Sequence, residues 1–368
     1  MLTPIPCLFM RGGTSRGPVF LESDLPADPA LRDRVLLAAM GSPDMRQIDG
    51  LGGADPLTSK VAIVSRSARP GVDLEFLFAQ VLINEPRVDT TPNCGNMLAA
   101  VAPFAIERGL ITAGETETTA RILTRNTGTL CDVTIQTPGG HIAYEGDARI
   151  DGCPGTSAPI RISFLETAGS VCKSLLPTGH IVDEVEGVKV TCIDNGMPVA
   201  IIAAGDLGRT GYESRDQLNQ DRALKQRLEA IRLAVGPAMN LGDVAKKVVP
   251  KMTLVARPRA GGSLCTRTFI PHDCHAAVGV LGAVTVATAA VLDGSVAHGV
   301  SVVPEGPIKL ISVEHPTGEF SVELEMDAAD PRIVKRAALL RTARLIMRGD
   351  VMIPTSVWNG NPSARLAA

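Results

Sequence analysis

The chain has 368 residues, 45% of them hydrophobic and 20% charged, enough apolar content for a core in each of two domains and too much for a disordered chain. Its 36 basic and 39 acidic residues leave a net charge of −3, and aromatic residues make up 3%. That balance excludes nucleic acid as the expected partner, because a duplex calls for excess positive charge and a single strand for stacking platforms.

The runs Ile5–Met10 and Pro18–Leu21 read as strands joined by Arg11-Gly-Gly-Thr-Ser-Arg-Gly17. Two glycines followed by the hydroxyls of Thr14 and Ser15 let backbone N–H groups approach an anion, and the arginines can bond carboxylates. A plain hairpin turn with solvated arginines accounts for the same residues. The segment lacks the lysine ending of a nucleotide-binding P-loop. Pro29–Met40 follows as an amphipathic helix closed by Gly41. The glycine-rich stretch Asp49–Lys60 then enters the strand Val61–Val64, with Lys60 beside Thr58 and Ser59. A lysine desolvated there could act as a proton-transferring base, or be an ordinary surface lysine.

Leu74–Ile83 reads as a strand. Asn93-Cys94-Gly95-Asn96 opens a nearly all-apolar helix, Asn96–Arg108, closed by Gly109. A thiol at a helix N-terminus feels the positive end of the dipole, although a buried structural cysteine is the commoner fate. Ala120–Thr124, Leu130–Thr137 and His141–Tyr144 read as strands, with turns at Asn126–Gly128 and Pro138–Gly140. The loop-like stretch Thr167–Gly179 places a domain boundary after residue 181, giving domains 1–181 and 182–368.

In the second half Val188–Ile193 and Pro198–Ala203 read as strands about a turn that holds Asn195 and Met197. That turn either faces a ligand or merely reverses the chain. Asp216–Leu233 is an amphipathic helix, and Met252–Val255 and Thr266–Ile270 are strands. Arg267 then precedes His272-Asp-Cys-His275, which opens the uncharged segment Ala276–Leu292. That segment is at the lower limit of length for a bilayer, but its Ala, Val, Gly and Thr content fits the buried axis of a domain better. His272, Cys274 and His275 have no second ligand cluster at zinc-site spacing, so no metal is expected. Ile308–Val313 and Phe320–Glu325 read as strands, Arg336–Met347 as a helix and Val351–Ile353 as a strand. The eight cysteines form no CxxC pair, and the start Met1–Cys7 lacks the pattern of an export signal. Both suit a cytoplasmic protein with reduced thiols.

Each half thus has strands, a polar turn with a cysteine, a buried Ala/Gly-rich helix (near 95–108 and near 275–292), then more strands. Met10–Ser15, Gly41–Asp44, Gln47–Lys60, Asn93–Asn96 and Glu314–Gly318 together resemble the PrpF-type isomerases, in order and over nearly the whole chain. The forms at Gly53–Lys60, Val235–Gly242 and Phe269–His272 are most similar to the oxalomesaconate-acting members.

The resemblance implies an α+β, diaminopimelate-epimerase-like fold: two similar domains, each a β-barrel around a central apolar helix, with the site in the cleft between them. It allows the last strands to return to the first domain, and it implies strand, turn and strand over Arg336–Met347, against the helix read there. It implies a cofactor-independent shift of a proton and a double bond in an unsaturated keto-tricarboxylate, with Lys60 and Cys94 at the reacting carbons. The substrate contacts it implies are Arg11, Thr14, Ser15, Thr58, Ser59, Asn93, Gly95, Asn96, Asn195, Met197, Arg267, His272 and His275. The expected partner is that small molecule, with neither nucleic acid nor membrane, and a homodimer is the assembly to test. Arg16 stands where the family often has lysine. Aconitate or methylitaconate isomerisation is the alternative activity. Cys274, mirroring Cys94, leaves room for a two-cysteine racemase, and a non-catalytic polycarboxylate binder would need neither Lys60 nor Cys94.

Overall fold

The computed structural model describes residues 1–165, 167–330 and 333–360. The chain divides into two compact units, Met1–Leu165 with Leu340–Ala368 and Glu166–Leu339. The division falls before residue 181 because the stretch after Leu165 is tied to the second unit. Thr167 Oγ1 donates to Asn195, and the Asp194 carboxylate accepts the N–H groups of Val171 and Cys172.

In the first unit Leu2–Gly12 lies antiparallel between Ala343–Pro354 and Ser15–Leu21. Ser15–Leu21 is parallel to Lys60–Arg66, which pairs antiparallel with Leu74–Val81. Leu74–Val81 is in turn parallel to Glu117–Thr124, and Thr129–Gln136 and Ile160–Phe164 follow antiparallel. A parallel pair cannot be closed by a tight turn and needs a crossover. The two crossovers carry the helix Pro29–Met40 and the apolar central segment. Pro29–Met40 has sharp ends: Asp28 accepts from Leu31 N at 2.8 Å, proline occupies the first position, and Gly41 turns left-handed at φ 75°.

The central segment is two short helices, Gly95–Leu98 and Val101–Glu107, rather than the single helix expected over Asn96–Arg108. Pro103 explains the break: it has no N–H for the Ala99 carbonyl, and its ring crowds that carbonyl. The segment still forms the axis of the unit. Residues 97–102, with Phe104 and Ala105, are buried, and strands from both sides of the ladder touch it.

The second unit repeats this order. Asp183–Val185, Val188–Asp194 and Pro198–Ala203 are successive antiparallel neighbours, and Pro198–Ala203 is parallel to Lys251–Ala256. Lys251–Ala256 pairs antiparallel with Leu264–Ile270, which is parallel to Ile308–His315, and Gly318–Met326 and Val334–Arg341 close the series antiparallel. The helices Arg215–Gln220 and Arg222–Ala238 fill its first crossover; they meet at Asp221, where one helix was expected over Asp216–Leu233. The uncharged segment forms the helix Val280–Val291, buried from Ala283 onward and touched by strands from both sides of the ladder. Among the described residues no helix is long and apolar enough to cross a membrane.

The architecture is α+β, each unit wound around its apolar axis. Two further local expectations from the residues are corrected. Arg336–Met347 is not helical: Val334–Arg341 and Ala343–Pro354 are strands, held by partners in Gly318–Met326 and Leu2–Gly12. His141–Tyr144 is not a strand, because after the turn at Pro138–Gly140 it meets only isolated bonds, Ala143 N to Gln136 O and Ala158 N to Tyr144 O.

Candidate active site

The hairpin between the first two strands is the organising element of the first unit's site. Gly13 turns at φ 51°, and both glycines are required by close approach. A Cβ on Gly12 would lie 2.3 Å from the Asn96 carbonyl oxygen, and one on Gly13 would lie 2.2 Å from Asn96 Oδ1. On the hairpin's return strand, a Cβ on Gly17 would lie 1.7 Å from the Lys60 carbonyl oxygen. The hairpin is therefore pressed against Asn96 on one side and against the Lys60 backbone on the other. The helix Gly95–Leu98, opened by Cys94, packs on both hairpin strands and on the strand that Lys60 begins.

Lys60 begins its strand and is 9% exposed. Its Nζ donates to Gln80 Oε1 at 2.6 Å and lies 4.8 Å from the centre of the Phe78 ring. The preceding loop is built around Gln47, a residue without an assigned role in the sequence. Its amide donates to Ser42 Oγ and Ser59 Oγ and accepts from Ala54 N. Ser59 is fully buried and donates to the Val81 carbonyl, while Thr58 donates to the Asp55 carbonyl. Thr58 and Ser59 thus shape the loop that presents Lys60.

Cys94 is half-buried and caps the four-residue helix Gly95–Leu98, so the helix expected behind it is interrupted at Ala99–Ala100. Its N–H donates to Asn93 Oδ1 at 2.8 Å. Asn96 Nδ2 donates to Thr14 Oγ1 at 2.9 Å and, more weakly, to Ser15 Oγ at 3.5 Å.

The two hairpin arginines differ in their surroundings. Arg11 is committed to its own unit: Nη1 donates to Gly13 O, Thr342 O and Thr342 Oγ1, and Nη2 to Ser157 Oγ. Arg16 is exposed; its backbone N–H donates to the Leu57 carbonyl and its guanidinium lies 5.8 Å from the centre of the Phe9 ring, and among the described residues that guanidinium has no hydrogen bond to an oxygen. It lies across the glycine-rich loop, where a Cβ on Gly53 would meet its Nη2 at 3.0 Å.

The expected residues of the second unit are not gathered in this way. Asn195 is buried, with Nδ2 donating to Thr288 and Oδ1 accepting from Thr167, and the carbonyls of Asn195 and Met197 accept from Thr285. Both residues thus anchor the helix Val280–Val291. Arg267 is buried and donates to the carbonyls of Glu213 and Thr266. His272 is exposed beside Glu229, and His275 Nδ1 lies 2.7 Å from the Ala277 carbonyl. Glu314, part of the last shared motif, accepts the N–H groups of Arg259, Ala260 and Gly262 and holds that loop closed. Among the described residues no group of three or more His, Cys, Asp or Glu is placed to hold a metal ion.

The repeated topology also resolves the two cysteines. Val88–Asp89 pairs with Val81 and Gln80, and Asp273–Cys274 pairs with Ile270 and Phe269. The step from Asp89 to Gly95 equals that from Cys274 to Val280, the first residue of each central helix. The counterpart of Cys274 is therefore Asp89, and the counterpart of Cys94 is the N-cap Gly279. Cys274 is packed in the second unit's core, its N–H bonded to Asn219, and burial pushes its thiol up to about 11. This arrangement does not provide the second acid–base thiol of a two-cysteine racemase.

A family model described as PrpF protein matches residues 2–354. The (4E)-oxalomesaconate Delta-isomerase of Novosphingobium sp. (strain KA1) is 60% identical, over 95% of this chain and 97% of that protein. The 4-oxalomesaconate tautomerase of Pseudomonas putida is 55% identical, over 97% of this chain and 98% of that protein. The crystal structure of a methylitaconate-delta-isomerase superimposes with a TM-score of 0.84 at 35% identity, covering 98% of each chain.

Proposed function

The chain belongs to the PrpF family, and from that premise we propose that it is a cofactor-independent isomerase of 4-oxalomesaconate, moving a proton and a double bond within an unsaturated keto-tricarboxylate. The relatives at 60% and 55% identity support the substrate. One structural observation supports the site: the hairpin packs Gly17 on the Lys60 carbonyl and Gly12 and Gly13 on Asn96, two residues after Cys94.

Lys60 takes a proton from the carbon next to the carbonyl. The electron pair spreads over the conjugated system as a dienolate, and Cys94 returns a proton two carbons away. The charge that builds up needs donors already in place. Arg16, whose guanidinium rests on the Phe9 ring and forms no ion pair among the described residues, takes a substrate carboxylate, whereas Arg11 holds the hairpin's shape. Thr14 and Ser15, ordered by Asn96, offer hydroxyls beside it. Among the described residues all eight cysteines are free thiols, which suits a reducing compartment, and we place the reaction in the cytoplasm.

The test is proton NMR in deuterated water with oxalomesaconate, methylitaconate and cis-aconitate in parallel. The expected result is rapid conversion of oxalomesaconate with one deuterium incorporated at the newly protonated carbon. Turnover of either of the other two acids in its place would refute the assignment.

A further inference from the structure

Lys60 and Gln80 are directly opposed across one antiparallel pair of strands, and Gln80 and Asp89 across the next. Opposed residues project from the same face of a sheet, so Lys60, Gln80 and Asp89 form a row with the amide in the middle. We propose that Gln80 is a positioning residue for the base: it holds the Lys60 amine in place without charge and separates it from the Asp89 carboxylate. The inference rests on the assignment of Lys60 as the proton-abstracting group.

The orientation of the Gln80 amide follows from its partners. Nε2 donates to the carbonyls of Ser59 at 2.9 Å and Pro56 at 3.1 Å. A flipped amide would set its oxygen against two carbonyl oxygens, so Oε1 has to face Lys60 Nζ. An amine donates to this acceptor whether neutral or protonated, and the neutral form keeps its lone pair for the substrate. Phe78, two residues earlier on the same face of that strand, bounds the amine on another side. The bonds to Pro56 and Ser59 also make Gln80 the link between the glycine-rich loop and the residue it presents.

The charged groups around Lys60 leave this task to a neutral residue. Asp89 lies beyond Gln80 and is turned to the N–H and hydroxyl of Thr91, bonds that hold its carboxyl below the usual range. Asp55, in the loop, accepts from Leu57 N. Arg16 is on the neighbouring strand, and Cys94 caps the helix packed against the strand of Lys60. Among the described residues no carboxylate forms an ion pair with Lys60. A glutamate at position 80 would supply one at hydrogen-bond distance and hold the lysine protonated.

The test is the pH dependence of kcat/KM for the wild type, Gln80→Glu, Gln80→Leu and Lys60→Met. A step that needs a deprotonated base gives a rate that rises with pH. In Gln80→Glu that rise is expected to move to higher pH by about one unit or more, the effect of an opposite charge at contact. In Gln80→Leu, kcat is expected to fall ~10²-fold with KM within a factor of two, the signature of a misplaced catalytic group. A Gln80→Glu profile that overlays the wild type after scaling would overturn the proposal, as would a Gln80→Leu loss confined to KM. Should Gln80→Glu fail to fold, the kcat against KM split of Gln80→Leu decides alone. An active Lys60→Met would instead overturn the base assignment, and this inference with it. An inactive Lys60→Met with an unmoved Gln80→Glu profile refutes only the role of Gln80.

Discussion

Replacing Arg11 by alanine separates the part its chemistry suggests from the part its bonds describe. The guanidinium makes two bonds near 2.9 Å, to Gly13 O and Thr342 Oγ1, and two at 3.2 Å, to Thr342 O and Ser157 Oγ. Hydrogen bonds to a charged group contribute ~1.5–3 kcal/mol each, but four from one half-buried side chain are not additive, and freed hydroxyls can turn to water. A total of about 2–4 kcal/mol follows, which in a unit of this size lowers the melting temperature by roughly 4–16 °C. The hairpin would also lose its tie to Thr342, so kcat should fall together with any rise in KM. Arg11→Lys should recover only part of both, because an ammonium cannot span acceptors on two segments as the fork does. Denaturant unfolding and steady-state kinetics on the same preparations provide the assay. Stability within ~0.5 kcal/mol of wild type, with a raised KM and an unchanged kcat, would refute this reasoning and restore Arg11 as a substrate anchor.

Cys274→Ala should retain most activity while Cys94→Ala is strongly impaired, and alkylation of the native protein should label position 94 and leave 274 untouched; equal losses in the two variants would count against a single-thiol mechanism. Burial also raises the thiols of Cys7 and Cys274 to about 11 from 9.0. The unfolded chain then loses these protons first, so stability is whole below pH 9 and falls as pH rises toward 11, by about 1.4 kcal/mol per pH unit for each thiol. Unfolding curves from pH 8 to 10 should show that slope, shallower in Cys274→Ala; parallel slopes would contradict it. Arg232 is fully buried, paired with Glu229 and bonded to the carbonyls of Val244 and Lys247. Arg232→Met should cost ~3–5 kcal/mol of the second unit's stability while leaving turnover at low temperature intact, and a loss below 1 kcal/mol would show that the arginine's bonds contribute little.

What the sequence disclosed, and what it concealed, follows the range of each interaction. Pro29–Met40 was legible to the residue because Asp28, Pro29 and Gly41 act within one turn of its ends. Pro103 carried an equally local message, but the unbroken apolar run around it masked the break at Ala99–Ala100. Arg336–Met347 is rich in Ala, Leu, Arg and Met, good helix formers, and only its distant sheet partners make it extended. Lys60, Cys94 and the hairpin were recognisable as separate motifs, and the structure brings their segments together. Gln80 was hidden because an amide in a strand gives no sign of the neighbour opposite it. The bonds of Arg11 were hidden for a related reason: its Thr342 partner lies 331 positions away in sequence.

The N-cap Gly279 has a consequence for how a duplicated fold can become chemically one-sided. Its backbone, at φ −68° and ψ 150°, suits any residue, and a side chain added there would meet no atom within 4 Å. A cysteine could occupy the position without strain or crowding, so packing does not keep the thiol out. Inversion at a single carbon asks for two acids of matched strength, one for each face. An allylic shift has no such mirror requirement, since the atom that loses hydrogen and the atom that gains it are different. Two copies of one scaffold are then free to diverge, one keeping an amine and a thiol and the other leaving that place bare.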